Sequence, residues 1–219
     1  MTFKGVIFDL DGVIVDSVPL HFEAWKRLFQ DDLGIHFDLK VYEDMVDGKP
    51  RLDAIRDMMP NMTEEEVVAA GDKKQGYYLE YLAQGKLKKF DAAISLIKEL
   101  LANNIKLAAA SSSKNTRRIL EKIGIIGDFT AIVTGNDIIH GKPDPEIFLK
   151  AADGMGLDVS ECVVFEDSIA GVEAAKNGGF LCVGIDRHNK PENYQQADLV
   201  VKDLTKVDFA LLKNLFNER

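Results

Sequence analysis

Two aspartates stand two positions apart near the start of the chain, in the segment Asp9-Leu10-Asp11-Gly12. Side chains two positions apart on an extended chain point the same way, so the two carboxylates would lie side by side. Such a pair can bind a hard cation, and one carboxylate can act as a nucleophile beside a second that carries a proton. The alternative is a surface turn, because acids before glycine are common in turns.

A hydroxyl-rich segment follows a later apolar run. It consists of Ser111, Ser112, Ser113, Lys114 and Asn115. A helical pattern follows directly, and the amides and dipole of a helix N-terminus favour a phosphate group. Simple capping of that helix by serine is the alternative.

A lysine and a second pair of acids come further along the chain. Lys142 lies in a proline-bounded turn at 141–145, where its charge could neutralise a transferring phosphoryl group; a solvated lysine is the alternative. Glu166 and Asp167 end another apolar run and could complete a cation site. For Asp167 the alternative is a cap at the start of a helix.

The elements that precede these groups must position them. Short apolar runs occur at 3–9, 105–110, 130–134, 161–166, 180–185 and 198–201. Each run is typical of a buried parallel strand, and helical segments separate the runs. This alternation predicts an α/β fold with a doubly wound parallel sheet, a Rossmann-like core whose ligands bind at the carboxyl ends of the strands. The sheet would bring together the parts that phosphoryl transfer requires.

A helical insert interrupts this pattern after the first run. Between about residues 17 and 87 the strand signal disappears, and helical segments occur at 19–33, 51–59 and 63–83. We therefore expect a catalytic α/β core formed by 1–16 and 88–219, with a helical cap domain formed by 17–87.

The composition limits the possible partners. The chain has 219 residues, 46% hydrophobic and 29% charged, which is enough to bury a core. A net charge of −9 argues against a nucleic-acid partner. No apolar stretch approaches the roughly 18 residues needed to cross a bilayer, and no signal peptide is evident, so we expect a cytoplasmic protein without membrane contact. Cys162 and Cys182 are expected to be buried free thiols.

The order of these groups resembles that of the haloacid dehalogenase superfamily of phosphotransferases. The matching features are the motif at 9–13, Ser111, Lys142 and the Glu166-Asp167 pair. The resemblance extends over nearly the whole chain. It implies that Asp9 is the nucleophile, that Asp11 is the general acid and base, and that Ser111 and Lys142 hold the transferring phosphoryl group.

The same resemblance implies a magnesium site. Its ligands would be Asp9, the backbone carbonyl of Asp11, and Asp167. Glu166 would support the site.

Within the superfamily, smaller features resemble the β-phosphoglucomutase group. The segment DGVIVDSVPLHFEAW at 11–25 is similar to that group's first motif and linker. The residues implied to contact the substrate are Leu10, Trp25, Gly48, Arg51, Lys74, Ser112, Ser113, Lys114 and Asn115. Lys74 could also lie on a solvated helix face. We further expect His21 to couple closure of the cap to the proton state of Asp11.

Two positions depart from that group's pattern. Asp47 stands where the group usually has a lysine before the cap glycine, and this acid would repel a phosphate. Phe90-Asp91 replaces the usual Pro-Gly after the cap, which changes the hinge more than the chemistry.

The resemblance implies a phosphomutase that interconverts β-D-glucose 1-phosphate and glucose 6-phosphate through an aspartyl-phosphate and a bisphosphate intermediate. The substrate, a small phosphorylated sugar, then needs a second cationic site, for which Arg51, Lys114 and Asn115 are apt. The alternative is a Mg²⁺-dependent sugar-phosphate phosphatase, which Asp47 favours. A binding protein on an inactive scaffold would lack a catalytic residue, and none is missing. We expect a monomer, because a moving cap needs room.

Overall fold

The computed structural model describes residues 3–46, 49–187 and 189–218. The strands are β1 (Gly5–Phe8), β2 (Val15–Asp16), β3 (Lys88–Lys89), β4 (Lys106–Ala110), β5 (Ala131–Val133), β6 (Cys162–Glu166), β7 (Leu181–Ile185) and β8 (Leu199–Val201). The helices are α1 (Val18–Lys26), α2 (Leu39–Met45), α3 (Arg51–Met58), α4 (Glu64–Ala83), α5 (Asp91–Ala102), α6 (Thr116–Lys122), α7 (Glu146–Met155), α8 (Ile169–Asn177) and α9 (Phe209–Asn217). A π-helical turn at Arg27–Asp32 continues α1.

Two compact units are formed by different parts of the chain. The core unit contains Met1–Asp16 and Lys89–Arg219, and the inserted unit contains Ser17–Lys88. The short strands β2 and β3 form a separate two-stranded sheet. Among the described residues, none of the helices combines the length and hydrophobicity that crossing a bilayer requires.

The core unit is built on a parallel sheet. In the described part of the chain this sheet has six strands in the order β5-β4-β1-β6-β7-β8. The chain first extends the sheet from β1 through β4 to β5, and then extends it on the other side through β6 to β8. The strand order therefore reverses between β1 and β6, where doubly wound folds bind their ligands. The α/β class and the doubly wound sheet predicted from the sequence are confirmed, and all six apolar runs contain strands.

The register of the sheet brings several loops to one edge. Phe8 of β1 lies beside Ala109 of β4 and Phe165 of β6. Because the strands are parallel, their carboxyl ends are level. Asp9 and Glu166, each one position further along its strand, therefore lie at the same edge.

Both faces of the central strands are covered, which explains why these strands are apolar without alternation. Every residue of β1 and β6 is buried. One face packs against α7 and α8 through a cluster that includes Ile7, Val164 and Phe148. Cys162 and Cys182 are free and buried in this cluster, as the sequence predicts.

The inserted unit is helical and has its own apolar core. Aromatic residues dominate this core, and they include Trp25, Phe29, Phe37 and Tyr42. The longest helix, α4, begins with a capping box between Thr63 and Glu66. Helix α2 has no counterpart among the helical segments predicted from the sequence.

Candidate active site

The loop after β1 carries Asp9 and Asp11, and its turn requires glycine. Asp9 is only 5% exposed, and its backbone N–H donates to the Phe165 carbonyl at 2.9 Å. Gly12 has a φ of +73°, a conformation that other residues rarely adopt. A Cβ atom at this position would also overlap Oδ2 of Asp167. Any side chain at position 12 would therefore strain the turn and displace Asp167.

Lys142 connects Asp9 to Glu166. Its Nζ lies 2.5 Å from Oδ1 of Asp9 and 2.7 Å from Oε2 of Glu166, and its side chain is 10% exposed. Burial opposes the charged ammonium, but the two carboxylates raise the pKa of Lys142 above its ordinary value. Lys142 therefore remains charged and offsets part of the negative charge around Asp9.

Backbone and hydroxyl donors hold Glu166 in place. Its Oε1 accepts from the N–H groups of Asp167 and Ser168, at 3.2 and 3.0 Å, and from the Ser168 hydroxyl at 2.8 Å. The Ser168 hydroxyl also accepts the N–H of Gly171 at 3.0 Å and thereby caps α8. Ser168, not Asp167, is the helix cap. A Cβ atom on Gly171 would overlap the Glu166 carboxyl group.

Asp9, Glu166 and Asp167 form an acidic group with the properties of a cation site. Each offers a carboxylate oxygen, and these oxygens lie within 4.8 Å of one another. Burial raises the pKa of Asp9 well above its ordinary value; Lys142 opposes this shift, and the neighbouring carboxylates add to it. Burial and the charge of Glu166 raise the pKa of Asp167 to about 8. With all three carboxylates ionised, the group would carry more negative charge than one lysine neutralises, and its oxygen ligands fit a hard divalent cation.

Ser111 joins the loop after β4 to the loop after β1. Its hydroxyl donates to Oδ2 of Asp11 at 3.0 Å and accepts the N–H of Ser113 at 3.0 Å. The Ser113 hydroxyl in turn accepts the N–H of Asn115 at 3.2 Å. The remaining members of this segment, Ser112 and Lys114, are exposed. The serines therefore organise the loop itself and also hold the Asp11 carboxylate.

The sequence analysis missed two residues that bind these loops. Nε of Arg187 donates to the Gly12 carbonyl, and the Tyr194 hydroxyl donates to the Asp167 carbonyl at 2.5 Å. Arg187 follows the carboxyl end of β7. The other functional residues were identified because they follow the carboxyl ends of parallel strands, and the same criterion indicates Arg187. Tyr194 lies in a 3₁₀ turn, where no pattern in the sequence indicates its contact.

In the inserted unit, the buried Lys74 pairs with the half-buried His21. Nζ of Lys74 lies 2.8 Å from Nδ1 of His21 and 4.7 Å from the centroid of the Trp25 ring. His21 also stacks on Tyr78. Burial and then the Lys74 charge lower the pKa of His21 well below its ordinary value. Lys74 is 3% exposed, so it does not lie on a solvated helix face.

Arg51 is the first residue of α3. It donates to Oε1 of Gln75 at 2.8 Å and lies 3.8 Å from Asp72. Its Nε is buried and has no hydrogen-bond partner within residues 3–46, 49–187 and 189–218. Gly48 and Asp47 lie outside the described residues.

Two other expected substrate-binding residues have buried side chains. Leu10 is fully buried in the core unit, so it could contact a ligand only through its backbone. Trp25 stacks on Phe29, with 5.3 Å between the ring centroids, and belongs to the apolar core of the inserted unit.

The sequence and fold match a known family. Residues 3–179 match the family model of haloacid dehalogenase-like hydrolases, and the chain therefore belongs to this family. It is 33% identical to a β-phosphoglucomutase of Bacillus subtilis, with 95% of this chain and 93% of that protein covered. It is also 30% identical to the validoxylamine A 7′-phosphate phosphatase of Streptomyces hygroscopicus, with 94% and 96% covered.

One solved structure has a similar fold. The crystal structure of a β-phosphoglucomutase from Clostridium difficile has a TM-score of 0.87 and 30% identity. The comparison covers 99% of this chain and 98% of that one. The relatives thus include a phosphatase as well as mutases.

Proposed function

We propose that the chain is a phosphomutase that interconverts β-D-glucose 1-phosphate and glucose 6-phosphate. The observation that carries this proposal is the bridge from Asp9 through Lys142 to Glu166, beside the contact of Ser111 with Asp11. A buried carboxylate held by a charged lysine suits an in-line nucleophile, because the ammonium can stabilise charge that develops on the phosphoryl group. The similarity to β-phosphoglucomutases supports the choice of sugar phosphate.

In the proposed reaction, Asp9 carries the phosphoryl group as an aspartyl-phosphate. The sugar's free hydroxyl oxygen attacks this phosphorus, the bond from phosphorus to the Asp9 oxygen breaks, and Asp11 accepts the hydroxyl proton. A glucose bisphosphate results. After the bisphosphate turns around, Asp9 attacks its other phosphorus and Asp11 returns the proton to the departing sugar oxygen. Ser111, which donates to Oδ2 of Asp11, orients that carboxylate during both transfers.

The acidic group of the core unit fits Mg²⁺. Asp9, Asp167 and the backbone carbonyl of Asp11 would hold the ion, and Glu166 would support it. When bound, Mg²⁺ would supply positive charge that neutralises the phosphoryl oxygens. Burial and then repulsion from neighbouring carboxylates raise the pKa values of Asp9 and Asp167, and these shifts support the assignment because a bound dication would favour the ionised forms.

A mutase must also bind the phosphate that is not being transferred. We assign this task to Arg51, Lys114 and Asn115, with Gly48, Lys74, Trp25, Leu10, Ser112 and Ser113 as further substrate contacts. The buried Nε of Arg51 supports the assignment, since a guanidinium with an unused donor is suited to bind a phosphate oxygen. His21 would respond to the proton state of Asp11 when the cap closes.

The deciding experiment supplies β-glucose 1-phosphate, Mg²⁺ and a trace of glucose 1,6-bisphosphate. Glucose 6-phosphate and free phosphate are then measured separately. The proposal predicts glucose 6-phosphate with little phosphate. Rapid phosphate release without isomer would exclude the mutase.

The second candidate is a sugar-phosphate phosphatase, in which water attacks the aspartyl-phosphate. The validoxylamine phosphate phosphatase among the relatives favours it, as does Asp47. Arg51→Ala distinguishes the two functions, with Arg56→Ala on the same helix as the matched control. A mutase should lose bisphosphate turnover in Arg51→Ala while still hydrolysing a small phosphoryl donor. Equal losses of both activities would contradict a second phosphate site.

A further inference from the structure

Arg187 contacts the loop that carries Asp9 and Asp11, and it has no role in the function proposed above. It follows β7, and its Nε donates to the carbonyl of Gly12. Its guanidinium carbon lies 3.6 Å from the centroid of the Phe90 ring, so the charged plane stacks on an aromatic face. Arg187, Gly12 and Phe90 all belong to the core unit.

Phe90 itself also binds the loop. Its backbone N–H donates to the Ile14 carbonyl at 2.9 Å. The stretch from Gly12 to Ile14 is therefore held at one end by the Arg187 side chain and at the other by the Phe90 backbone. Because Phe90 also supports the guanidinium, the two restraints depend on each other.

The loop needs such a restraint because its turn contains the flexible residue Gly12. Gly12 has a wider choice of backbone conformations than other residues, and in this turn it adopts the left-handed region, with a φ of +73°. Its carbonyl is one peptide unit beyond Asp11. A hydrogen bond to that carbonyl therefore limits rotation directly beside the Asp11 backbone and carboxylate.

We propose that Arg187, supported by Phe90, is a positioning residue that holds the Asp11-Gly12 turn in its reactive conformation. This inference rests on the proposed phosphoryl transfer through Asp9 and Asp11. An arginine suits the role better than a lysine, because its planar group can stack and donate in a fixed direction at the same time.

The test compares Arg187→Ala and Arg187→Lys with Arg117→Ala. Arg117 is the matched control, since it also donates to a backbone carbonyl, that of Ile132 at 3.0 Å, on an exposed part of the core unit. With p-nitrophenyl phosphate and Mg²⁺, Arg187→Ala should lower kcat by roughly tenfold or more, because small displacements of catalytic groups slow reactions strongly. The KM should change less than about twofold, since Arg187 does not bind substrate. Methylguanidinium should restore part of the lost kcat.

A second measurement does not depend on activity. Amide hydrogen exchange at Gly12 and Val15, whose N–H groups donate to the Val15 and Leu10 carbonyls, reports how often the turn opens. Arg187→Ala should speed exchange at these two amides, and Arg117→Ala should leave it unchanged. If the wild-type chain transferred no phosphoryl group, the proposed function would fail. The exchange measurement would still show whether Arg187 restrains the turn.

Several results would overturn the proposal. One is an unchanged kcat together with unchanged amide exchange in Arg187→Ala. Another is full activity in Arg187→Lys, and a third is a rise in KM without a fall in kcat in Arg187→Ala. If Arg187→Ala did not fold, Phe90→Leu would remove the stacking and keep the arginine. This variant should then show a smaller loss of kcat together with faster exchange at Gly12, and the absence of both would equally contradict the restraint.

Discussion

Replacing Lys142 by methionine tests the charge balance of the acidic group. Methionine keeps most of the apolar stem, and it can remain beside Phe148, whose ring centroid lies 5.1 Å from the lysine Nζ. The substitution therefore removes mainly the charge. Asp9 and Glu166 would then lose a partner that lies 2.5 and 2.7 Å away.

The loss of stability in Lys142→Met depends on pH. Removing one partner of a buried ion pair typically lowers the free energy of unfolding by about 3–5 kcal/mol, and we expect this loss at pH 8 without divalent cations. The lost positive charge raises the pKa of Asp9 further above its ordinary value. Between about pH 4, the ordinary pKa of an aspartate, and the raised pKa of Asp9, the native variant binds more protons than the unfolded chain, so its stability falls as the pH rises through this range. The difference from the wild type should therefore shrink toward pH 4.

Urea unfolding at pH 5 and pH 8, in the presence of a chelator, measures this difference. The matched control is Lys150→Met, which removes the pair between the exposed Lys150 and Glu146 at 2.6 Å and should change stability far less, by the same small amount at either pH. Phosphoryl transfer by Lys142→Met should fall by roughly a hundredfold or more, as for the loss of other charge-stabilising groups. An equal loss of stability at both pH values would show that packing, not charge, is responsible.

Three further predictions concern the same sites. Without a cation, Asp167 has a raised pKa and releases its proton only near pH 8. Mg²⁺ should therefore raise the Tm more at pH 8 than at pH 6, and thermal scans of Asp167→Asn should show no such difference. Gly12→Ala should abolish turnover, because its φ is positive and its Cβ would overlap Asp167; full activity would refute the packing argument. In the inserted unit, Lys74→Met should raise the pKa of His21, measured by NMR titration of the ring, and an unchanged pKa would mean that burial alone lowers it.

Most of the fold could be predicted because parallel strands have a clear signature. All six apolar runs form strands of one sheet, and their loops open at one edge because the strands point the same way. Helix α2 was missed, since its seven residues are too few to show a helical period. Its start depends on Asp38, whose carboxylate accepts the N–H of Val41 at 2.9 Å, and such caps also occur in turns.

The candidate site was only partly predictable because its contacts join distant parts of the chain. The residue types at strand ends indicate Asp9, Lys142 and Glu166, but the sequence does not reveal that the lysine bridges the two acids. Ser168 shows a further limit, since a serine and an aspartate are both good helix caps and only the structure distinguishes them.

The contact of Arg187 with Gly12 has a broader consequence for how the site works. The groups at the edge of the sheet come from separate loops, and each loop is held by a side chain from another: Ser111 binds Asp11, Lys142 binds Glu166, and Tyr194 binds the Asp167 carbonyl. A change in one loop therefore moves the groups of its neighbours. For this reason we expect substitutions at these holding residues to lower kcat without a matching change in KM, whereas substitutions at Arg51 should separate mutase from phosphatase activity.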